Sequence, residues 1–334
     1  MIVLSPGARD DPRLAVDRPI TTIGFFDGLH KGHQSLLRDL RTWAGELGGT
    51  PTVMTFSPHP QQVLTGSAPP HVLSLDHRLL LLEREGVAAT CLLEFTHELA
   101  GLSPEEFVDQ IVKGYLGSHH LLLGFDSTVG HRRLGTYEYL QEHADQLDVT
   151  VRQASCFLLG GERISSTLVR HAVQRGDLDR VVEITGRSHA VLGEVVHGDH
   201  RGQSLGFPTA NLRIKADAVV PSGVYFARAG LVWPHRLRES GSTEKSKRSA
   251  FPKLCDRPAL VNIGRRPTFT GDDAEEQIEV HLLDFTGDLY GAYLEVAFLK
   301  YHRGEQTFTG VEALVAQIRS DEAAMRTWLK TAPQ

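Results

Sequence analysis

The sequence predicts a doubly wound α/β domain over residues 1–185, followed over residues 186–334 by a small antiparallel β-barrel with a C-terminal helix. Two observations carry this. Up to Thr185, short β-type runs alternate with helical periods, the pattern of a parallel sheet covered by helices. From Val191 on, helical periods give way to short β-rich runs separated by glycine and proline turns, the pattern of a small closed antiparallel sheet.

Each element has its own local reason. Thr22-Ile23 ends a β-type run at Gly24, a polar turn carries His30 and His33, and Leu36, Leu37 and Leu40 begin a helical period. Thr52–Phe56 is the next strand, followed by a leucine-rich helical run over Arg78–Glu85 and a strand over Ala88–Leu93. Ser103-Pro104-Glu105-Glu106 supplies a cap, a first-turn proline and a capping-box glutamate for a helix running toward Leu116. His120–Leu123 is a buried strand ending at Gly124. In such sheets ligands collect at the carboxyl ends of strands, so Gly24, Phe56 and Gly124 are expected around one crevice. Ile164–Arg170 opens a helix that stops at Gly176, with Ser165 or Ser166 as its cap. The barrel runs are Val191–Val196, Val224–Ala229, Leu260–Ile263, Ile278–Leu283 and Leu294–Phe298, and the last helix spans Val311–Leu329.

Composition narrows the function classes. With 334 residues, 41% of them apolar and 23% charged, the chain can bury two cores. A net charge of -6 gives no support for nucleic-acid binding. Phosphate ligands must then be gripped by local geometry. Cys91, Cys156 and Cys255 are odd in number and in no CxxC pattern, which fits a reducing compartment. Charges run through Met1–Arg18 and no apolar stretch has membrane-spanning length, so a cytoplasmic protein without membrane attachment is expected; no protein partner is indicated.

Two stretches carry chemistry. In the turn from Gly24 to His33, the first N–H groups of the following helix face outward as an anion site, Gly28 and Gly32 permit close approach, and His30 and His33 can donate to phosphate oxygens. Two zinc-ligand histidines or two polar loop residues are the competing readings, the former lacking a nearby third ligand at a usual spacing. The second stretch is Gly198–Asn211, whose glycines Gly198, Gly202 and Gly206 suit a flap over phosphates. Thr209 and Asn211 there offer neutral oxygens suited to Mg²⁺. A P-loop, Gly-x-x-x-x-Gly-Lys-Ser/Thr, is absent, so a kinase activity would be of another type. Glu279 alternates with Ile278, Val280 and Leu282, which by period alone puts it on a solvated outer face. The polar, basic segment of residues 234–250 is either a solvated insertion or a partner-binding patch.

Gly24-Phe25-Phe26-Asp27-Gly28-Leu29-His30-Lys31-Gly32-His33 resembles the nucleotide-binding motif of the prokaryotic bifunctional riboflavin kinase/FAD synthetase family, whose His-x-Gly-His core is shared across nucleotidyltransferases. Gly206-Phe207-Pro208-Thr209-Ala210-Asn211 resembles that family's riboflavin kinase signature, and the likeness runs from about Ile20 to Leu329. It implies a nucleotidyltransferase-like first domain and a riboflavin-kinase-like barrel, using riboflavin, FMN, FAD and ATP with Mg²⁺. It implies that Gly24, Phe26, Asp27, Gly28 and Gly32, with Ser165, Ser166, Thr167 and Arg170, hold the nucleotide of the adenylyl-transfer half, where His30 and His33 act. It assigns flavin binding there to Asp126 and Arg133, and in the kinase half gives nucleotide binding to Gly198, Gly202, Gly206, Pro208, Thr209 and Asn211, and the catalytic base to Glu279. Departures are Phe25 where the family commonly has asparagine, Gln203 for an arginine, and Ser127 and Val129 for two aromatics that would give a stacking surface. A kinase whose first domain has lost adenylyl transfer, and a flavin-binding regulator without turnover, are the rival readings.

Overall fold

The computed structural model describes residues 1–4, 16–198, 202, 205–214, 220–234, 256–266 and 275–332. Gln203 and the basic insertion from residue 235 lie outside the described residues. The chain forms two compact units, Met1–His71 with Arg78–Leu168, and Val72–His77 with Val169–Gln334.

In the first unit the strands β1 (Ile2–Leu4), β2 (Pro19–Ile23), β3 (Thr50–Ser57), β4 (Ala89–Glu94), β5 (His120–Leu123) and β6 (Thr150–Gln153) form a six-stranded sheet in the order β1-β4-β3-β2-β5-β6. All its pairings are parallel. β2 is buried along its whole length, as a strand covered on both faces must be. The sequence order steps one way from β2 to β4 and the other way from β5 to β6, so the order reverses between β2 and β5. A crevice opens outside the carboxyl ends at such a point, where the loops beginning at Gly24 and Gly124 leave the sheet.

Of this unit's helices, the one after the histidine turn and the one after Ser103 begin where the sequence put them. Helix α1 (Lys31–Leu47) buries Leu36, Leu37, Leu40, Trp43 and Ala44, the face read from the period. After it come α2 (Pro60–Thr65), α3 (Leu75–Arg84), α4 (His97–Gly101), α5 (Pro104–Phe107), α6 (Tyr137–Glu142) and α7 (Ala144–Leu147). The capping box is formed, with Glu106 N donating to Ser103 Oγ at 3.1 Å and Ser103 N to Glu106 Oε2 at 2.8 Å. The helix does not stay α-helical to Leu116: from Val108 to Tyr115 it widens into a π-helix. Gly114 permits this, because a Cβ there would sit 2.8 Å from the Asp109 carbonyl oxygen.

The short strands β7 (Leu158–Leu159) and β8 (Glu162–Arg163) form a hairpin, and α8 (Ser166–Gln174) and α9 (Leu178–Thr185) follow, α9 closing on Gly186 at φ 73°. The strands β9 (Ala190–Val196), β10 (Ala210–Ile214), β11 (Gly223–Val232), β12 (Arg257–Arg266), β13 (Glu275–Leu282) and β14 (Tyr293–Arg303) close into a barrel in the order β10-β13-β12-β11-β14-β9. Tyr225, Val261, Ile263, Ile278 and Val280 are buried, as the alternation demands. The register sets both Asn211 and Asn262 opposite Glu279, and Leu260 opposite both His281 and Phe226. Directly opposed residues share a face. Helix α10 (Val311–Thr331) covers that face through a cluster of Phe226, Leu260, Leu283 and Met325, with Trp328 against it. A position that would be washed by solvent on a bare barrel is therefore half-buried.

α10 is pinned by a buried carboxylate. Asp321, only 2% exposed, accepts from Arg303 Nη2 at 2.7 Å and from Gln317 Nε2 at 2.8 Å, with His302 Nε2 at 3.0 Å. Burial pushes the Asp321 carboxyl up, but the hydrogen bonds from Arg303 and Gln317 and the Arg303 charge outweigh it and hold the group below its usual value. Asp321→Ala, which leaves Arg303 uncompensated, should destabilise the protein by about 3 kcal/mol at neutral pH. The folded-state value is depressed, so the stabilisation is present above the ordinary carboxylate value and is lost as pH falls through the folded one. Denaturant melts of parent and variant should therefore differ most at neutral pH and converge in acid; a constant gap would contradict this account.

Candidate active sites

The first site grows out of a strained turn. Phe26 and Leu29 adopt positive φ of 57° and 37°, each about 1 kcal/mol or more of strain. Both side chains are 1% exposed, and this burial offsets the strain. Gly24 sits closely beneath the Phe26 ring, where a Cβ would lie 3.0 Å from Phe26 Cε2. Gly28, at φ 76°, completes the turn. The chain then enters α1 with His30 as N-cap, its Nδ1 accepting from His33 N at 3.3 Å. An accepting Nδ1 puts the proton of the neutral imidazole on Nε2, leaving the ring a donor at its far nitrogen. The His30 and His33 rings stack with centroids 3.8 Å apart, and His33 packs 5.1 Å from the Phe26 ring. At Gly32 a Cβ would press on the His30 ring, coming within 3.1 Å of Nδ1. Among the described residues no group of three His, Cys, Asp or Glu side chains could hold a metal ion.

The two serines divide their tasks. Ser165 is the cap of α8, accepting weakly from Leu168 N at 3.4 Å. Ser166 Oγ instead donates to the Asp27 carbonyl at 2.6 Å, so the start of α8 is tied to the turn. Thr167 is exposed on the first turn of α8, and Arg170 lies buried one turn further along it. On the loop after β5, Asp126 and Arg133 are both exposed, and Arg133 folds back on the loop through Thr128 Oγ1 at 3.2 Å. Val129 is core rather than surface, bridged to Gly135 and 4% exposed. The ring that this loop does expose is Phe125, with the Arg163 guanidinium 4.8 Å above it.

Sequence reasoning missed Arg78. Its guanidinium is buried, donating through Nη1 to the Phe25 carbonyl and through Nη2 to the Phe56 carbonyl, both at 2.8 Å. A cation heading the buried run Leu79–Leu82 was the available signal.

The second site lies on the barrel. A cavity of about 340 Å³ is lined by Phe207, Leu260, Leu314, Ile318 and Glu279 among others. A second, of about 580 Å³, is lined by Pro208, Val280, Phe285, Leu289 and Tyr290 among others. Thr209 and Asn211 line both, so the two cavities share these residues as a wall. Gln277 Nε2 donates both to Asn211 Oδ1 at 2.8 Å and to Glu279 Oε1 at 3.0 Å, holding the amide and the carboxylate together. Glu279 is thus a half-buried polar group that lines the cavity on the helix-covered face. The flap glycines fit against this cluster: a Cβ at Gly202 would lie 3.1 Å from Thr209 Oγ1, and one at Gly198 would lie 2.2 Å from Asn211 Nδ2. Gly206 turns the chain at φ 84° ahead of Pro208, whose carbonyl contacts His281 Nδ1 at 2.9 Å.

A chain of net charge -6 gives a polyanion no bulk attraction; the first site instead gathers hydrogen-bond donors at one turn and the second gathers oxygens around Thr209, Asn211 and Glu279, equipment that suits an enzyme moving phosphoryl or nucleotidyl groups. The chain is a nucleotide-dependent transferase. Residues 15–168 match the FAD synthetase family model and residues 185–329 the riboflavin kinase model. The bifunctional riboflavin kinase/FMN adenylyltransferase of Pseudomonas fluorescens is 38% identical over 92% of both chains. That of Escherichia coli K12 is 33% identical over 92% of this chain and 91% of its own. A crystal structure named as a macrolide-efflux protein from Streptococcus pneumoniae superposes with a TM-score of 0.78 at 30% identity, covering 98% of this chain and 100% of that one. The chain belongs to the bifunctional riboflavin kinase/FMN adenylyltransferase family. No described helix is long and apolar enough to cross a membrane.

Gly198→Ala should displace the Asn211 amide and lower the rate of riboflavin phosphorylation by about tenfold or more, with FAD formation from supplied FMN unchanged. Initial rates of both steps measure this, and an unaffected kinase would show that the flap does not need the close approach.

Proposed function

We propose that the kinase step is carried by residues 186–334, with the flavin in the cavity lined by Leu260 and Ile318 and ATP in the one lined by Phe285 and Tyr290. The observation that carries this reading is that Thr209 and Asn211 line both cavities while Glu279 lines the first. A phosphoryl group passing between two substrates must cross beside the residues that their cavities share. Glu279 accepts the proton of the riboflavin 5′-hydroxyl as its oxygen bonds to the γ-phosphorus and ADP departs. Thr209 Oγ1 and Asn211 Oδ1 would hold Mg²⁺. The amide oxygen already accepts one hydrogen bond and keeps its second lone pair for a cation, and Mg²⁺ takes few protein ligands beside phosphate and water. When bound, the ion neutralises charge on the phosphates. Gly198, Gly202 and Gly206 let the backbone come close to them.

Adenylyl transfer falls to residues 1–185. A phosphate oxygen of FMN attacks the α-phosphorus of ATP, FAD forms and pyrophosphate leaves. The first N–H groups of α1 and the imidazoles of His30 and His33 stabilise the charge that builds on the phosphates. Ser165, Ser166, Thr167 and Arg170 hold the pyrophosphate, and Asp126 and Arg133 meet the flavin. The division at Gly186 is supported by its capping of α9 and by the start of the riboflavin kinase match at residue 185. Both reactions, consuming ATP, run in the cytoplasm.

Glu279→Gln keeps size and polarity but removes the base, so riboflavin phosphorylation should fall by about 10²-fold while FAD formation from FMN persists. His33→Ala should do the reverse, by about 10²-fold. Initial rates of both steps on both variants decide: a Glu279→Gln enzyme that phosphorylates at the parental rate overturns the base, and loss of both activities in His33→Ala overturns the separation of sites.

A further inference from the structure

Arg78 is a buried cation that neither proposed reaction uses. Its side chain is 3% exposed, and Nε has no hydrogen-bond partner. The two carbonyls that its terminal nitrogens hold belong to Phe25, just beyond β2, and Phe56, at the end of β3. These are adjacent strands, and Phe25 begins the turn that carries Asp27, His30 and His33. The Phe25 carbonyl also accepts from Thr55 Oγ1 at 3.3 Å. The Phe25 ring completes the arrangement, lying 4.2 Å from the guanidinium carbon, with the His59 ring 4.3 Å and the His71 ring 5.5 Å away. A ring at this position gives the guanidinium a cation–π partner that asparagine would not. Burial lowers the Arg78 pKa to about 10, opposed by the charge of Asp27, so the group stays cationic at neutral pH.

We propose that Arg78 is a positioning residue for adenylyl transfer, a planar fork that locks together the chain segments leaving β2 and β3 and so fixes the entry of the turn bearing the histidines. Two parallel donors on one rigid plane hold the two carbonyls at a set spacing, which a point charge on a flexible stem does not. The Phe25 ring fixes the plane. The turn behind this lock contains Phe26 and Leu29 in strained conformations, which persist only where their surroundings over-determine them.

The inference rests on the proposed role of the Gly24–His33 turn, so the test runs Arg78→Lys, Arg78→Met and His33→Ala side by side in the full-length protein. FAD formation from supplied FMN is the readout, and riboflavin phosphorylation in the same preparation is the folding check. Expected for both Arg78 variants is a kcat for FAD formation lower by about tenfold or more, with KM for ATP within about threefold of the parent and the kinase unaffected. A residue of purely structural value would lower the melting temperature but leave kcat of the folded enzyme alone. Arg78→Lys retains charge and stem, and it decides the matter if Arg78→Met fails to fold. Parental kcat in Arg78→Lys, or its loss of both activities together, overturns the inference. Parental FAD formation by His33→Ala overturns the reading of the turn itself, and the role of Arg78 with it.

Discussion

A chain of net charge -6 that handles polyphosphates works under one electrostatic constraint: it must attract at a point what it repels as a whole. Backbone dipoles are the cheapest answer. In the first unit, reversal of strand order between β2 and β5 opens a crevice at the carboxyl ends, and α1 directs its first N–H groups from a turn that leaves β2 there. In the barrel, neutral hydroxyl and amide oxygens gather at Thr209 and Asn211, which line both cavities.

Both solutions depend on groups that fix geometry without adding surface charge. The Ser166 hydroxyl holds the Asp27 carbonyl, so the start of α8 cannot drift from the histidine turn. Gln277 holds Asn211 and Glu279 as one unit, with a single amide nitrogen serving both acceptors. The ion pair of Arg303 with Asp321 keeps α10 over the barrel face that carries Glu279. Without that helix the carboxylate would be free to turn as any surface glutamate does.

What was legible in the sequence was whatever follows from neighbours along the chain. The capping box at Ser103, the buried stripe of α1 and the alternation of Ile278, Val280 and Leu282 are local, and the structure has them where the pattern put them. So were the glycine-rich turn and the flap, whose strings are specific. What was not legible depends on contacts across the fold. Period alone set Glu279 in solvent, because nothing local says that α10 returns to cover it. The π-helical stretch from Val108 reads as ordinary α-helix, since no side-chain period separates the two over so few turns. Ser165 and Ser166 were interchangeable as caps until Asp27 claimed one of them. Val129, where an aromatic was looked for, belongs to the core, and the exposed ring is Phe125, shifted along the same loop.

The central claim is that this chain makes FAD from riboflavin in two steps. Incubating the full-length protein with riboflavin, ATP and Mg²⁺, and separating the flavins by chromatography over time, tests it directly. FMN should rise first and then feed a growing FAD peak. FMN that accumulates with no FAD, or riboflavin that stays unchanged, would contradict it.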